Sequence, residues 1–277
     1  MIEQLRSVCQ YDAAVRRLKT GATAFTTTCF ASPMQIREWA ERGVLSSIST
    51  SRAFLLLRKS RDVIHLSHVA ADQQSLSDAL HLLDELTMAE PIVADLVGQP
   101  AEVEQIARSY ALRGFSSYRE LARMTRIGSV SAERNLPEMA VHRAVHGEAA
   151  GVLAFLERLL DPLSEQIPEL EDMECAADRG QILVAGNGNA IEGVLTFQTI
   201  GLSTTLRYWF VALGDRNRGI GAALMRSFLK QVVGSRRIVL WVFSDNADSI
   251  AKYEHYGFRR GNLVDRIMLK PVSGGVG

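Results

Sequence analysis

Clusters of apolar residues divide the 277-residue chain into two patterned halves. Between them lies Gly128-Ser129-Val130-Ser131-Ala132-Glu133-Arg134-Asn135-Leu136-Pro137, whose Gly, Ser, Asn and Pro content interrupts both helical and strand periodicity. In the second half, residues 139–145 read as a short strand, and residues 151–160 as a helix that Pro162 ends. Ile167, Leu170 and Met173, at three-residue spacing, predict a further short helix within 165–177 whose outer face is acidic. Strands are expected at 181–185 and 191–200, joined in a hairpin by Gly186-Asn187-Gly188-Asn189, which tolerates positive φ. A strand at 205–213, a helix at 219–233, a fully apolar strand at 238–243, a helix at 248–256 and a closing strand or hairpin at 258–270 follow.

The first half predicts helices at 2–18 and 35–41, then a hairpin of 53–58 with 62–69 around Lys59-Ser60-Arg61. A helix at 76–86, a strand at 92–97, a helix at 102–112 and a strand at 116–124 complete it. Its β-β-α-β-α-β order repeats the later part of the second half. The expected class is α/β, a mixed central sheet flanked by helices, with a domain at 1–127, a linker at 128–137 and a second domain at 138–277.

Composition narrows the function. Lysine plus arginine number 31 and aspartate plus glutamate 31, so no net charge draws the chain to nucleic acid or to an acidic membrane, and neither is expected as a partner. A hydrophobic share of 47% with 22% charged residues is that of a folded globular chain. Cys9, Cys29 and Cys175 have no Cys-x-x-Cys spacing, so free thiols and no zinc are expected. His142 and His146 with Glu148, and His65 with His68, do not fall together on one helix, so no metal is expected. The first twenty residues have no signal-peptide core, and no run approaches the roughly 18 apolar residues of a membrane span, which points to the cytoplasm.

The candidate chemistry lies at Leu213-Gly214-Asp215-Arg216-Asn217-Arg218-Gly219-Ile220-Gly221-Ala222, between an expected strand and an expected helix. A pyrophosphate needs several backbone N–H groups converging at a helix N-terminus, where the dipole favours anions. Gly219 and Gly221 let the backbone approach, and Arg216 and Arg218 add positive charge.

Arg216-Asn217-Arg218-Gly219-Ile220-Gly221 resembles the Gln/Arg-x-x-Gly-x-Gly/Ala signature of the GNAT superfamily of acyl-CoA-dependent N-acyltransferases. Asn246, Ser249, Tyr253 and Tyr256-Gly257-Phe258 look like that family's second motif. The resemblance covers residues 138–270 and implies a GNAT-like fold with acetyl-CoA as acyl donor and no metal. It further implies that Arg216, Asn217, Arg218, Gly219, Ile220, Gly221 and Ala222 hold the pyrophosphate and that Phe210, Val211 and Leu213 bond the pantetheine arm. Asn246 would contact the same arm, and Tyr253 would act as general acid for the departing thiolate.

Attack on a thioester needs a deprotonated amine. The family often carries a glutamate on the strand that here reads Leu206-Arg207-Tyr208-Trp209-Phe210-Val211, which has no carboxylate. Glu192 is the substitute expected as catalytic base, with Asp215 and His255 behind it, and an ordered water is an alternative. Either Tyr208 or Trp209 must face inward and line the acyl or acceptor pocket.

Placing Tyr110-Ala111-Leu112-Arg113-Gly114-Phe115 on Tyr253-Glu254-His255-Tyr256-Gly257-Phe258 gives an offset of 143 residues. The same offset sets Gln73 on Arg216, Leu76 on Gly219 and Asp78 on Gly221, which removes the glycines and turns a carboxylate toward the phosphate position. The first half therefore resembles a degenerate GNAT-like domain in a tandem arrangement, walling the acceptor site of the second. The expected activity is transfer of an acyl group, most often acetyl, from acyl-CoA to the primary amine of a small metabolite by direct attack. Acidic residues Glu165, Glu169, Glu171 and Asp172 would suit a cationic acceptor. The alternatives are a CoA-binding sensor without turnover and an acyltransferase that takes its acyl group from an acyl carrier protein.

Overall fold

In the computed structural model, residues 2–20, 22, 24–86, 88–128, 141–186, 190–215 and 218–272 are described, Asp215 by its backbone alone. Most of the expected linker, the expected hairpin turn at 187–189, and Arg216 and Asn217 lie outside the described residues. The chain divides into two compact units, Met1–Leu121 with Asn262–Gly277, and Ala122–Gly261.

The first unit contains β1 (Glu3–Gln4), α1 (Val8–Lys19), β2 (Thr26–Thr27), α2 (Pro33–Glu41), β3 (Leu45–Ser49), β4 (Ala53–Ser60), β5 (Val63–Ala70), α3 (Gln73–His81), β6 (Ile92–Gly98) and α4 (Pro100–Ala111). β7 (Ser116–Ile127) passes from this unit into the second. There follow β8 (Val141–Arg143), α5 (Ala149–Glu157), α6 (Leu170–Asp178), β9 (Ile182–Gly186), β10 (Ile191–Ile200), β11 (Ser203–Val211), α7 (Ile220–Gln231), β12 (Arg237–Phe243), α8 (Ala247–His255) and β13 (Arg259–Lys270).

Several boundaries differ from the periodicity. The helix expected from residue 2 is a two-residue strand followed by α1, because the Ser7 hydroxyl accepts the Gln10 N–H and starts the helix there. Strand β3 is absent from the sequence reading: Ser46, Ser47 and Ser49 dilute its apolar signal, yet it pairs with both β1 and β4. α3 begins at Gln73 because the Asp72 carboxylate caps it. Leu76 and Asp78 therefore lie within the helix rather than at its start. Leu76 is fully buried and Asp78 accepts a hydrogen bond from Gln74, so the carboxylate at this helix's N-terminus is Asp72 and not Asp78. The acidic segment expected to be helical from 165 is irregular up to Glu169, with α6 only beyond it.

The sheet of the first unit runs β1-β3-β4-β5-β6-β13, antiparallel except for the parallel pair β5–β6, with β2 added to β5. That of the second runs β8-β9-β10-β11-β12-β7, again antiparallel up to a parallel pair, β11–β12. Each parallel pair is joined through a helix, α3 or α7. The last strand of the chain does not lie wholly in the second unit, as the expected domain 138–277 has it. Residues 259–261 of β13 fall in the second unit, whereas residues 264–270 pair with β6 of the first.

Ala53-Phe54-Leu55-Leu56-Leu57 is continuously apolar because β4 is buried on both faces. Leu55 and Leu57 face α3 and α4, and Phe54 and Leu56 face α1 and α2. In the second unit Leu224, Phe228, Leu240 and Phe258 pack on one face of the sheet, and Phe155, Leu156, Val184 and Val194 on the other.

The repeat at offset 143 has a structural counterpart. Gly114 and Gly257 both end their helices at positive φ, +78° and +82°. Each turn lays a phenylalanine edge-on against the tyrosine of its helix, Phe115 on Tyr110 at 5.1 Å and Phe258 on Tyr253 at 5.8 Å.

His68, at the heart of the first unit, is wholly buried. Its Nδ1 lies 2.9 Å from the Tyr110 hydroxyl and 3.2 Å from that of Thr28, and its Nε2 lies 3.2 Å from the hydroxyl of Thr26. Burial holds its pKa down at about 3. The folded ring stays neutral where the unfolded ring takes up a proton, near pH 6.5, so its contribution to stability is lost as the pH falls below that value. The excess stability of the native chain over His68→Gln should shrink by about 1.4 kcal/mol per pH unit between about pH 6 and 4. Urea unfolding of both proteins at several pH values checks this, and parallel pH dependences would contradict it.

Candidate active site

β11 and β12 are in register only at Ser203–Arg237, Thr204–Ile238 and Thr205–Val239. Beyond Thr205 the strands part, although β11 continues to Val211 and β12 to Phe243. Arg207 is the extra residue of a bulge against Thr196 and Phe197 of β10. The Ala212 N–H donates to the Glu192 carbonyl at 2.8 Å, so strand alternation turns Phe210 toward β10 as well. Trp209 and Val211, rather than Phe210, direct their N–H and C=O groups to the edge facing away from β10. Among the described residues no backbone hydrogen bond reaches that edge beyond Thr205.

This edge leads to the start of α7. Leu213, exposed, lies past the strand in a single 3-10 turn with Gly214 and Asp215. Gly219 caps α7 at φ +81°, a left-handed conformation that disfavours other residues, and supplies no side chain to the first N–H groups of the helix. Ile220 is anchored in the core. Gly221 lies beneath the indole of Trp209, whose Nε1 donates to the Gly221 carbonyl at 3.1 Å. A Cβ on Gly221 would stand 3.4 Å from Trp209 Cζ2 and 3.5 Å from Val211 Cγ2.

Helix α7 rests on β10 through Gly193, where an added Cβ would lie 2.9 Å from both Ile220 Cγ2 and Leu224 Cδ1 and 3.2 Å from the Phe210 carbonyl oxygen. Gly193→Ala is therefore expected to lower the unfolding free energy by about 1–3 kcal/mol. An unchanged urea midpoint would contradict this packing.

Tyr253, on α8, is buried, with its ring 5.3 Å from that of Trp209. Burial pushes its phenol pKa well above the usual tyrosine value, so it remains a proton donor through the neutral and alkaline range. Asn246 caps α8, its Oδ1 accepting the Ser249 N–H at 3.0 Å. An asparagine directly before a helical pattern is itself the signal for this cap. Glu192 is 15% exposed, and its Oε1 lies 3.8 Å from Arg218 Nη1, so the candidate base is paired with a cation of the loop. His255 is exposed on α8, its ring turned to Tyr256.

On the opposite face of β11, Tyr208 packs toward α5 and α6 and its hydroxyl donates to the Gln166 carbonyl. Burial, with Glu165 and Asp172 acting against Arg207, pushes its pKa up to about 12. The Glu165 carboxylate accepts the Asp161 N–H at 2.9 Å and that of Asp172 the Glu169 N–H at 3.2 Å. Trp209 and Tyr208 thus serve different faces. The structure brings Trp209, Val211, Gly219, Gly221 and Tyr253 together at one end of the parted strands.

His142 bonds Glu148, and His146 lies against Asp178 and Glu174. Among the described residues no group of three or more ligating side chains could hold a metal, and no helix is long and apolar enough to cross a membrane.

Residues 152–258 match the sequence model of the acetyltransferase (GNAT) family. The chain carries a GNAT domain. The GNAT match spans the parted strands, the glycine start of α7 and the tyrosine of α8. Among solved structures, a GCN5-related N-acetyltransferase from Sphaerobacter thermophilus is 13% identical with a TM-score of 0.62, over 100% of this chain and 96% of that one. A tandem GNAT protein from the clavulanic acid biosynthesis pathway is 12% identical with a TM-score of 0.59, over 99% of each chain. A GNAT-family acetyltransferase from Colwellia psychrerythraea is 11% identical with a TM-score of 0.55, over 98% and 99%. At these identities the likeness is one of fold, and it extends over both units. No curated protein matches the sequence. Acyl transfer is the general chemistry of the family.

Proposed function

We propose that the second unit transfers an acyl group, most often acetyl, from acyl-CoA to the primary amine of a small metabolite. The observation that carries this reading is the edge of β11 at Trp209 and Val211, without a backbone partner among the described residues, running into the glycine start of α7, with Tyr253 buried against Trp209. The edge offers paired donors and acceptors to the amides of a pantetheine arm. The α7 N–H groups and Arg218, with Arg216 and Asn217, suit a pyrophosphate.

The amine nitrogen forms the new C–N bond at the thioester carbonyl while the C–S bond breaks. Tyr253 gives its proton to the departing thiolate. The proton lost by the amine passes to Glu192, directly or through water, once an anionic donor draws Arg218 away from that carboxylate. The carboxylates of Glu165 and Asp172 near Tyr208 favour a cationic acceptor.

The absence of a carboxylate on β11 favours a second reading, a CoA-binding sensor. Thiol release from acetyl-CoA in the presence of mono- and diamines separates the two. Amine-dependent release, reduced at least tenfold in kcat by Glu192→Gln, supports the transferase. Tight donor binding with no release from any amine supports the sensor.

A further inference from the structure

The first unit repeats the parted parallel strands of the second. β5 and β6 are in register only at Ile64–Ile92 and His65–Val93, yet β5 continues to Ala70 and β6 to Gly98. Here, however, the chain occupies the edge itself. Thr26 and Thr27 pair antiparallel with Ala70 and Val69, the Thr28 N–H donates to the His68 carbonyl at 3.0 Å, and the Ala24 N–H to that of Ala71 at 3.3 Å. Side chains close the same edge. The His68 N–H donates to Thr28 Oγ1 at 3.0 Å, and Thr27 Oγ1 donates to the His68 carbonyl at 3.0 Å. In the second unit the edge beyond the parallel pairing, at Trp209 and Val211, has no backbone partner among the described residues.

The two other elements of the site are closed as well. α7 starts at a glycine without a side-chain cap, whereas α3 starts at Asp72, whose carboxylate accepts the Ser75 N–H at 2.8 Å and is paired with Arg52. The helix N-terminus thus holds an anion of its own. Tyr110, the counterpart of Tyr253, is fully buried and hydrogen-bonded to His68 and Thr28.

We propose that the first unit is a second donor site that its own chain has closed, residues 24–28 standing where a pantetheine arm would lie and Asp72 where a phosphate would, so that each chain binds one acyl-CoA, in the second unit. This rests on the donor reading proposed above. An extended segment pairing with a free strand edge satisfies it as a peptide ligand would, and does so without loss of translational freedom.

Two readouts test it on the intact chain: donor stoichiometry by native mass spectrometry with acetyl-CoA, and amide hydrogen exchange of residues 24–28. The expected result is one donor per chain, lost in Gly221→Asp. The Thr28 amide should exchange on the order of 100-fold more slowly than in an unstructured peptide, equally with and without donor. Two donors per chain, a single donor that survives Gly221→Asp, or faster exchange at 24–28 on adding donor would each overturn the proposal. If no donor binds, the function proposed above fails, and exchange alone decides the closure: protection at Thr28 upholds it and peptide-like exchange removes it.

Discussion

Tyr253→Phe is expected to lower the rate constant of acyl transfer by about 100- to 10,000-fold, the usual worth of a positioned general acid. The substitution removes one hydroxyl and leaves the ring packed against Trp209 and Phe258, so fold and donor affinity should persist. Burial keeps the phenol protonated above its ordinary pKa, so the native pH–rate profile should show no loss assignable to this group below about pH 10. Pre-steady-state transfer with saturating acetyl-CoA and amine measures it directly. A drop of less than threefold would make Tyr253 a packing residue and leave the leaving thiolate to solvent.

Gly221→Asp should weaken acetyl-CoA binding by at least about 100-fold, roughly 2.7 kcal/mol. The new side chain meets Trp209 and Val211 at ordinary or slightly tight distances, and a carboxylate in the first turn of a helix is favourable to the helix itself. The fold should therefore survive, which unchanged thermal unfolding would show. The loss comes from a fixed negative charge among the N–H groups that the donor phosphates need. Gly221→Ala adds the same Cβ without the charge and should cost less than tenfold. Equal losses in the two variants would assign the effect to sterics against the Trp209 indole.

The two glycine motifs were legible in the sequence because their backbone requirements are local: a left-handed residue at Gly219 and at Gly257, each followed or preceded by a helical pattern. Continuous apolar runs such as 53–57 and 238–243 likewise announced strands. What stayed hidden depends on partners distant in the chain. Nothing in residues 264–270 reveals that their partner is β6 of the first unit, since either sheet would accept the same alternation. β3 is a strand by virtue of its two neighbours and not of its serines. Thr26 and Thr27 carry no pattern at all, and only the edge of β5 gives them a structure.

At the candidate site the sequence located the glycine loop and Tyr253, both carried by motifs. It did not show that Trp209 ties α7 to β11 through the Gly221 carbonyl, or that Glu192 is paired with Arg218, because each contact joins separate elements. Phe210 illustrates the limit of motif transfer. The motif names the strand, whereas the bulge at Arg207 and the bond from Ala212 to Glu192 decide which of its residues face the parted edge.

We propose that the parted strands and the start of α7 form one acyl-CoA site. Calorimetric titration of the intact chain with acetyl-CoA tests it most directly. Saturable binding with a dissociation constant of about 1–100 μM, abolished by Gly221→Asp, is the predicted result. An absence of binding at millimolar acetyl-CoA, or the same affinity in Gly221→Asp, would contradict it.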